Sequence, residues 1–183
     1  DEHPEREITV LSQLEAHRVD GIVLVSSRLS DQQLQAAISG WTPMVFVNRL
    51  IPPSRGRGCI LVNEAEAMRG AIDHLLERGH RRIGFVGCTS RSRSGRERRR
   101  GYLQASERSG LAFHSDWCLE CAPNVDGGRE AAGCLLQAHP ELTALLCYND
   151  LVAVGTVQAC RAFGRSVPDD CAVVGWDDLP LAR

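Results

Sequence analysis

Lysine is absent from this chain: all 21 of its basic residues are arginine. That one-sided usage most simply reflects a GC-rich genome. The formal net charge is −2, so the surface as a whole is not a basic platform for nucleic acid. Long apolar runs are also missing. The apolar runs, such as residues 21–25 and 144–147, fall far short of the ~20 residues that a membrane helix needs. No charged stretch followed by an apolar one opens the sequence as a leader would, and a soluble protein without a membrane partner is expected. What is present suffices for a sizeable core: 183 residues, 43% of them hydrophobic, allow one large domain or two small ones.

Eight cysteines could form a disulfide framework. However, Cys59, Cys88, Cys147 and Cys171 lie in or beside apolar, strand-like runs, where free cysteine behaves as a small hydrophobe. A reduced, cytoplasmic protein fits that usage better. Cys118 and Cys121 have the spacing of a metal-binding pair, but no second pair and no paired histidines complete a tetrahedral set. Neither a metal nor a cofactor is expected.

Strand-like runs at residues 21–26, 44–47, 59–62, 83–87, around Leu119, 143–148 and 171–175 alternate with helix-period segments. The helices are expected from Asp31, over 64–78, from about Gly95, from Asp126 and over 150–163. This is the pattern of a parallel sheet with helices on both faces. Ser30 and Asp31 stand as a cap before a Leu34/Ile38 stripe, and Gly79 and Gly164 stand where a left-handed residue ends a helix. Met68, Ile72, Leu75 and Leu76 recur at helical spacing and form one apolar face. Residues 50–58, rich in proline and glycine, read as a connection rather than an element, and as a boundary between two halves.

Two of the apolar runs end in polar groups, one in Asn149-Asp150 and the other in Gly175-Trp176-Asp177-Asp178. In open α/β sheets, ligands bind just outside the carboxyl ends of the strands. Asn149 and Asp177 therefore stand where a small polar molecule would be held. Each has a plainer alternative: Asn149 could cap the helix that starts at Asp150, and Asp177 could cap a turn before Pro180. Enzyme signatures do not appear: there is no G-x-S-x-G elbow, no Walker loop, no H-E-x-x-H, and no G-x-G-x-x-G after a strand. His80 falls in a helix-to-strand turn and reads as a turn or capping residue rather than a base. Six arginines crowd residues 91–100; they could hold phosphate or carboxylate, or form a solvated loop and first helical turn.

Four motifs, in order and at matching intervals, resemble the effector-binding domain of LacI/GalR-family transcriptional regulators. They are Glu77-Arg-Gly-His-Arg-Arg-Ile-Gly-Phe-Val-Gly87, Arg98-Arg-Arg-Gly-Tyr102, Asn149-Asp-Leu-Val-Ala-Val-Gly155 and Val167-Pro-Asp-Asp-Cys-Ala-Val-Val-Gly-Trp-Asp-Asp178. Val19-Asp-Gly-Ile-Val23 and Pro43-Met-Val-Phe-Val-Asn-Arg49 extend the likeness to most of the chain. The resemblance implies two Rossmann-like α/β lobes with parallel sheets, of the periplasmic-binding-protein type I kind, with an effector bound between them. It further implies an incomplete first lobe over residues 1–62 and a second lobe over 63–183, the DNA-binding part of such proteins having no counterpart here.

The same resemblance implies a site. Asn48, at the end of the strand over 44–47, corresponds to a polar contact to ligand hydroxyls, often Asp in relatives. Arg49 beside it matches an arginine of pentose-binding relatives, where purine-binding ones carry an aromatic. Arg98 matches an arginine that forks onto ligand oxygens, with Ser94 one turn before it, and Asn149 and Asp177 match polar residues of the second lobe. Physical chemistry agrees with these roles, because an amide, a carboxylate and a guanidinium together suit a polyhydroxylated molecule. Trp176 or Trp117 could supply a stacking face, whereas the position near Pro123 holds no aromatic. Arg98 could instead pair with Glu97 or Glu107 on the surface.

The function implied is that of a sensor for a sugar or sugar acid, homodimeric, reaching operator DNA only through a domain outside this chain. A periplasmic sugar-binding protein of a transport system is the alternative, and an α/β enzyme using Asp177 or His80 is a third reading with nothing to support it.

Overall fold

The computed structural model describes residues 3–38, 42–88, 92–111 and 114–182. Arg91 and the side chain of Cys88 lie outside what it describes. The chain forms two compact units, one holding Asp1–Val62 with Arg91–Ser94 and the other Asn63–Ser90 with Gly95–Arg183.

The first unit opens with α1 (Pro4–Ala16), followed by β1 (Ile22–Val25), α2 (Asp31–Ala37), β2 (Met44–Val47) and β3 (Arg57–Ile60). Helix α1 was not among the elements expected from the sequence. Its apolar stripe is thin, with Leu11 its one buried residue, although proline sits in its first turn with Glu5 and Glu7 beside the positive end of the dipole. Ser30 caps α2 through a reciprocal capping box with Gln33. The three strands are parallel in the order β1-β2-β3, with Ile22 opposite Met44 and Met44 opposite Arg57.

Strand β3 starts two residues earlier than expected, inside the stretch read as a connection. Its burial pattern explains the difference: only one side of this edge strand pairs, and three of its four residues are exposed, so hydrophobicity does not mark it. Cys59 is among them, which corrects its reading as a buried small hydrophobe. Leu11, Leu29, Leu34, Ile38, Met44 and Phe46 pack together under α1 and α2. On the opposite face of the sheet Val23, Val25 and Ile60 stay exposed.

In the second unit, α3 (Glu64–Glu77), β4 (Ile83–Cys88), α4 (Arg93–Arg108), β5 (Cys118–Cys121), α5 (Val125–Ala138), β6 (Ala144–Cys147), α6 (Asp150–Ala162) and β7 (Ala172–Val174) follow one another. The first two residues of α4 are grouped with the first unit. All pairings are parallel, in the order β5-β4-β6-β7. Alternate strand residues face opposite ways, which gives two cores. Ile83, Phe85, Ala144 and Leu146 pack with Met68, Ile72, Leu75, Tyr102 and Ala105 of α3 and α4. Val86, Leu145 and Cys147 pack with Ala132, Leu135, Leu136, Val152 and Ala159 of α5 and α6.

The two helices of this second layer cross with almost no space between their backbones. A β-carbon on Gly155 would run into the carbonyl of Val125, and one on Gly128 into that of Val152. Gly79 and Gly164 have φ of 87° and 70° and end α3 and α6 as expected. His80, at the foot of β4, bonds Thr143 Oγ1 at 3.1 Å, and burial, then Arg78, lowers its pKa; it serves the turn. Trp117 belongs to the core with Leu142 and Leu145, so it is not the stacking aromatic considered from the sequence.

Among the described residues no three histidine, cysteine or acidic side chains could hold a metal. Cys118 and Cys121, three apart on β5, point to opposite faces of the sheet. No described helix is long and apolar enough to cross a membrane.

Candidate functional site

The expected residues gather at the carboxyl ends of strands in each unit. In the first, β2 runs into Asn48, whose φ of 56° lies in the left-handed region; a short amide side chain tolerates that conformation better than most. Its backbone N–H donates to Ile60 O at 2.9 Å, and its Oδ1 accepts from Val62 N at 3.3 Å. Asn48 therefore has a structural duty that a charged acceptor is not needed for. Arg49, 8% exposed, turns back to α2 and donates from Nη2 to Asp31 Oδ1 at 2.6 Å. Its buried Nε has no hydrogen-bond partner. Ser94, the second residue of α4, is buried.

In the second unit Arg98 is the centre. It is 6% exposed, and an unpaired guanidinium withdrawn from water to that degree would be very costly. Glu64, in the first turn of α3, provides the compensation: its Oε2 accepts from Arg98 Nε at 2.8 Å and its Oε1 lies 3.5 Å from Nη2. Arg98 Nη1 donates to the carbonyl of Tyr148. The guanidinium carbon lies 4.3 Å from the ring centroid of Trp176 and 4.9 Å from that of Tyr148, within cation–π range. The surface pairs considered from the sequence do not form, since Glu97 takes Arg100 at 2.7 Å instead. Of the other arginines in the crowded segment, Arg96, Arg99 and Arg100 are exposed, as a solvated helix face would be, whereas Arg93, which opens α4, is half-buried.

Asn149 does cap α6: its Oδ1 accepts from Val152 N at 2.9 Å, which leaves the Nδ2 amide as a donor. Its carbonyl neighbour Tyr148 is the acceptor for Arg98, so β6 delivers both groups at one strand end. Asp150 behind it is 3% exposed, and its Oδ2 accepts from Leu179 N at 2.7 Å, tying the segment after β7 to α6. Gly175 is required there, because a β-carbon would collide with Asp150 Oδ1. The chain then turns through Asp177 and Asp178, at φ of 109° and 55°, an unusual pair for non-glycine residues and one that marks a locally strained segment. Partial desolvation raises the pKa of Asp177; Arg98 opposes the shift, while Asp150 and Glu64 add to it. The Arg98 guanidinium thus interacts with carboxylates from α3 and from the end of β7.

Within the second unit, then, Arg98, Asn149 and Asp177 come together around Trp176; within the first, Asn48 and Arg49 are neighbours that turn to different partners. Sequence reasoning missed Glu64, Asp150 and the Tyr148 carbonyl. Glu64 after Asn63 reads as an ordinary acidic first-turn residue, and Asp150 as the start of a helix. Burial sets them apart, and burial is not written in the local sequence.

Comparison with known proteins places the chain. A family model described as periplasmic binding proteins and the sugar-binding domain of the LacI family matches residues 1–182. The chain belongs to that family. Among similar members of this LacI-type family is the HTH-type transcriptional regulator GalS of Salmonella typhimurium, 32% identical over 98% of this chain and 52% of its own length. The HTH-type transcriptional repressor PurR of Haemophilus influenzae is 31% identical over 98% of this chain and 53% of its own. The crystal structure of a putative ribose operon repressor from Burkholderia thailandensis is 30% identical and superposes with a TM-score of 0.85, over 98% of this chain and 66% of that one. The chain spans about half the length of the curated relatives it matches. These relatives are regulators, not enzymes, which favours an effector-binding domain of the LacI type over a transport protein.

Proposed function

We propose that this chain is the ligand-sensing part of a DNA-binding transcriptional regulator, and that its effector is a small sugar or sugar acid. Asn48, Arg49, Ser94, Arg98, Asn149 and Asp177 contact the effector in this reading. Residues 1–62 act as part of an N-terminal lobe and 63–183 as the C-terminal lobe. The intact protein works as a cytoplasmic homodimer whose operator contacts lie in a domain outside this sequence. Effector binding controls operator affinity, which requires that the ligand bind two states of the protein unequally.

The observation that carries the reading is the buried Arg98. Its fork is fixed by Glu64 and the Tyr148 carbonyl, it lies against the Trp176 ring, and it has the Asn149 amide and the Asp177 carboxyl close by. Fixed donors, fixed acceptors and an aromatic face are what polyhydroxylated ligands require. No nucleophile with a base stands among them, so recognition without turnover follows.

A thermal-shift screen of the purified protein against sugars, sugar acids, sugar phosphates and purines tests the ligand class, because binding to the native state raises apparent stability. Arg98→Ala and Asp177→Ala should each abolish the calorimetric binding of the hit; Asp177→Ala should keep a native circular dichroism spectrum, while Arg98→Ala, which leaves Glu64 buried without its partner, should also unfold more readily. Unchanged affinity in both variants would sink the site assignment, and a shift with purines alone would replace the sugar reading.

A further inference from the structure

Glu64 belongs to none of the motifs that pointed to the site, yet among the ion pairs of the described residues no carboxylate is more completely withdrawn from water. Its side chain is 1% exposed and that of Arg98 7%. The pair is formed along one particular edge of the guanidinium: Glu64 Oε2 accepts from Nε at 2.8 Å, with Oε1 on the Nη2 side at 3.5 Å. That side-on edge is one of the two along which a guanidinium makes a two-pronged contact with a carboxylate or phosphate. With Nη1 also donating to the Tyr148 carbonyl, Glu64 and the backbone already take Nε and one N–H of Nη1, which leaves Arg98 fewer donors and no net charge to offer a ligand oxyanion. The surrounding charge points the same way. The carboxylates of Asp150 and Glu64 are close enough to Asp177 to raise its pKa, while the Arg98 charge opposes them. In the first unit Arg49 likewise already has a carboxylate, Asp31, at 2.6 Å. Neither arginine of the site carries an uncompensated charge.

We propose that Glu64 is a specificity-determining residue of the effector site: by occupying the Nε edge of Arg98 and cancelling its charge, it makes the site select uncharged polyhydroxylated effectors and reject sugar acids and sugar phosphates. The inference rests on the reading that Arg98 and Asp177 contact a sugar-like effector, and it narrows that reading to one chemical class. Glu64 acts through Arg98, as a positioning residue, and its effect is therefore on the choice between ligands rather than on the fold alone.

The test is calorimetric titration of the purified protein with D-galactose, D-glucose and D-ribose, and with D-galacturonate, D-glucuronate and ribose 5-phosphate. The wild type should bind one of the neutral sugars at least about tenfold more tightly than its charged counterpart, a difference well within calorimetric resolution. Glu64→Gln keeps the shape and one acceptor oxygen but removes the charge, and should shift that ratio by about tenfold toward the acid; Glu64→Asp should bring it back toward the wild type. A general loss of structure would lower both affinities together and leave the ratio unmoved, which distinguishes a merely structural role. Wild-type protein that binds a charged probe as tightly as its neutral partner overturns the proposal, whether or not the variants fold. So does an unchanged ratio in folded Glu64→Gln. Wild-type protein that binds none of the six probes overturns the underlying sugar reading as well.

Discussion

Strands β1 and β6 are four residues each, almost equally apolar, and both run parallel to their neighbours toward a polar residue. Every residue of β6 is buried, while in β1 Val23 and Val25 are 67% and 61% exposed. The strands themselves do not explain this. Strand β6 lies inside a sheet with α3 and α4 on one face and α5 and α6 on the other, whereas among the described residues β1 is an edge strand whose sheet is covered on one face by α1 and α2. Parallel strands are ordinarily covered on both faces, and the burial of a strand is thus a property of the layers around it. The two arginines of the proposed site repeat the contrast. Both are buried and both are paired, but the partner of Arg49 is 90% exposed and that of Arg98 1%. Water can replace Asp31 far more readily than it can replace Glu64.

Mutations can break or sharpen this comparison. The largest loss is expected on β6: Leu146→Ala should cost about 2–5 kcal/mol, as deletion of a fully enclosed leucine does, read from urea unfolding followed by circular dichroism. A cost under about 1 kcal/mol would mean that the second unit's sheet is not closed on both faces. Next, Gly155→Ala forces a methyl group against the Val125 carbonyl and should cost about 1–3 kcal/mol by overpacking; a neutral or stabilising result in the same measurement would contradict the backbone contact of α5 with α6. Asn149→Ala removes the cap of α6 and should lower stability by about 1 kcal/mol while also weakening effector binding, so its two roles are read separately by unfolding and by calorimetry.

For Asp177→Asn the sign reverses. The folded protein holds this carboxyl above its ordinary pKa, so ionisation is disfavoured in the native state relative to the unfolded one. That penalty is absent below the ordinary carboxylate range, about pH 3.9, and builds as pH rises from there through the raised value. The variant should melt at or above the wild type at neutral pH, and the advantage should vanish in acid, while effector binding is lost. A variant that melts lower at neutral pH would show that the charge is needed for folding. The smallest effect belongs to β1: Val23→Thr, β-branched and of similar volume, should change stability by no more than about 0.5 kcal/mol. A cost as large as that on β6 would reveal that Val23 is covered after all.

Much of the fold was legible because its signals are local. The capping box at Ser30, the left-handed glycines at 79 and 164, the Met68/Ile72/Leu75 stripe and the apolar runs that became β2, β4 and β6 each arise from backbone sterics or side-chain periodicity over a few residues. The failures share a cause too. Helix α1 buries a single leucine and β3 is an exposed edge, so neither carries the periodic apolar pattern that reveals an element. Asn149 and Asp177 could be placed beyond the ends of β6 and β7 because a strand end is a position that sequence can locate. Glu64 could not, since nothing near it in the chain says that a residue 34 positions away will donate to it.

By itself, then, the sequence determined the βα alternation, the helix ends and the polar residues at the carboxyl ends of the strands, because these depend on interactions within a few residues. Tertiary structure alone decided which strands are covered on both faces, which arginines are buried and which carboxylates neutralise them. Burial and charge compensation are relations between distant segments, and they exist only once the layers have packed.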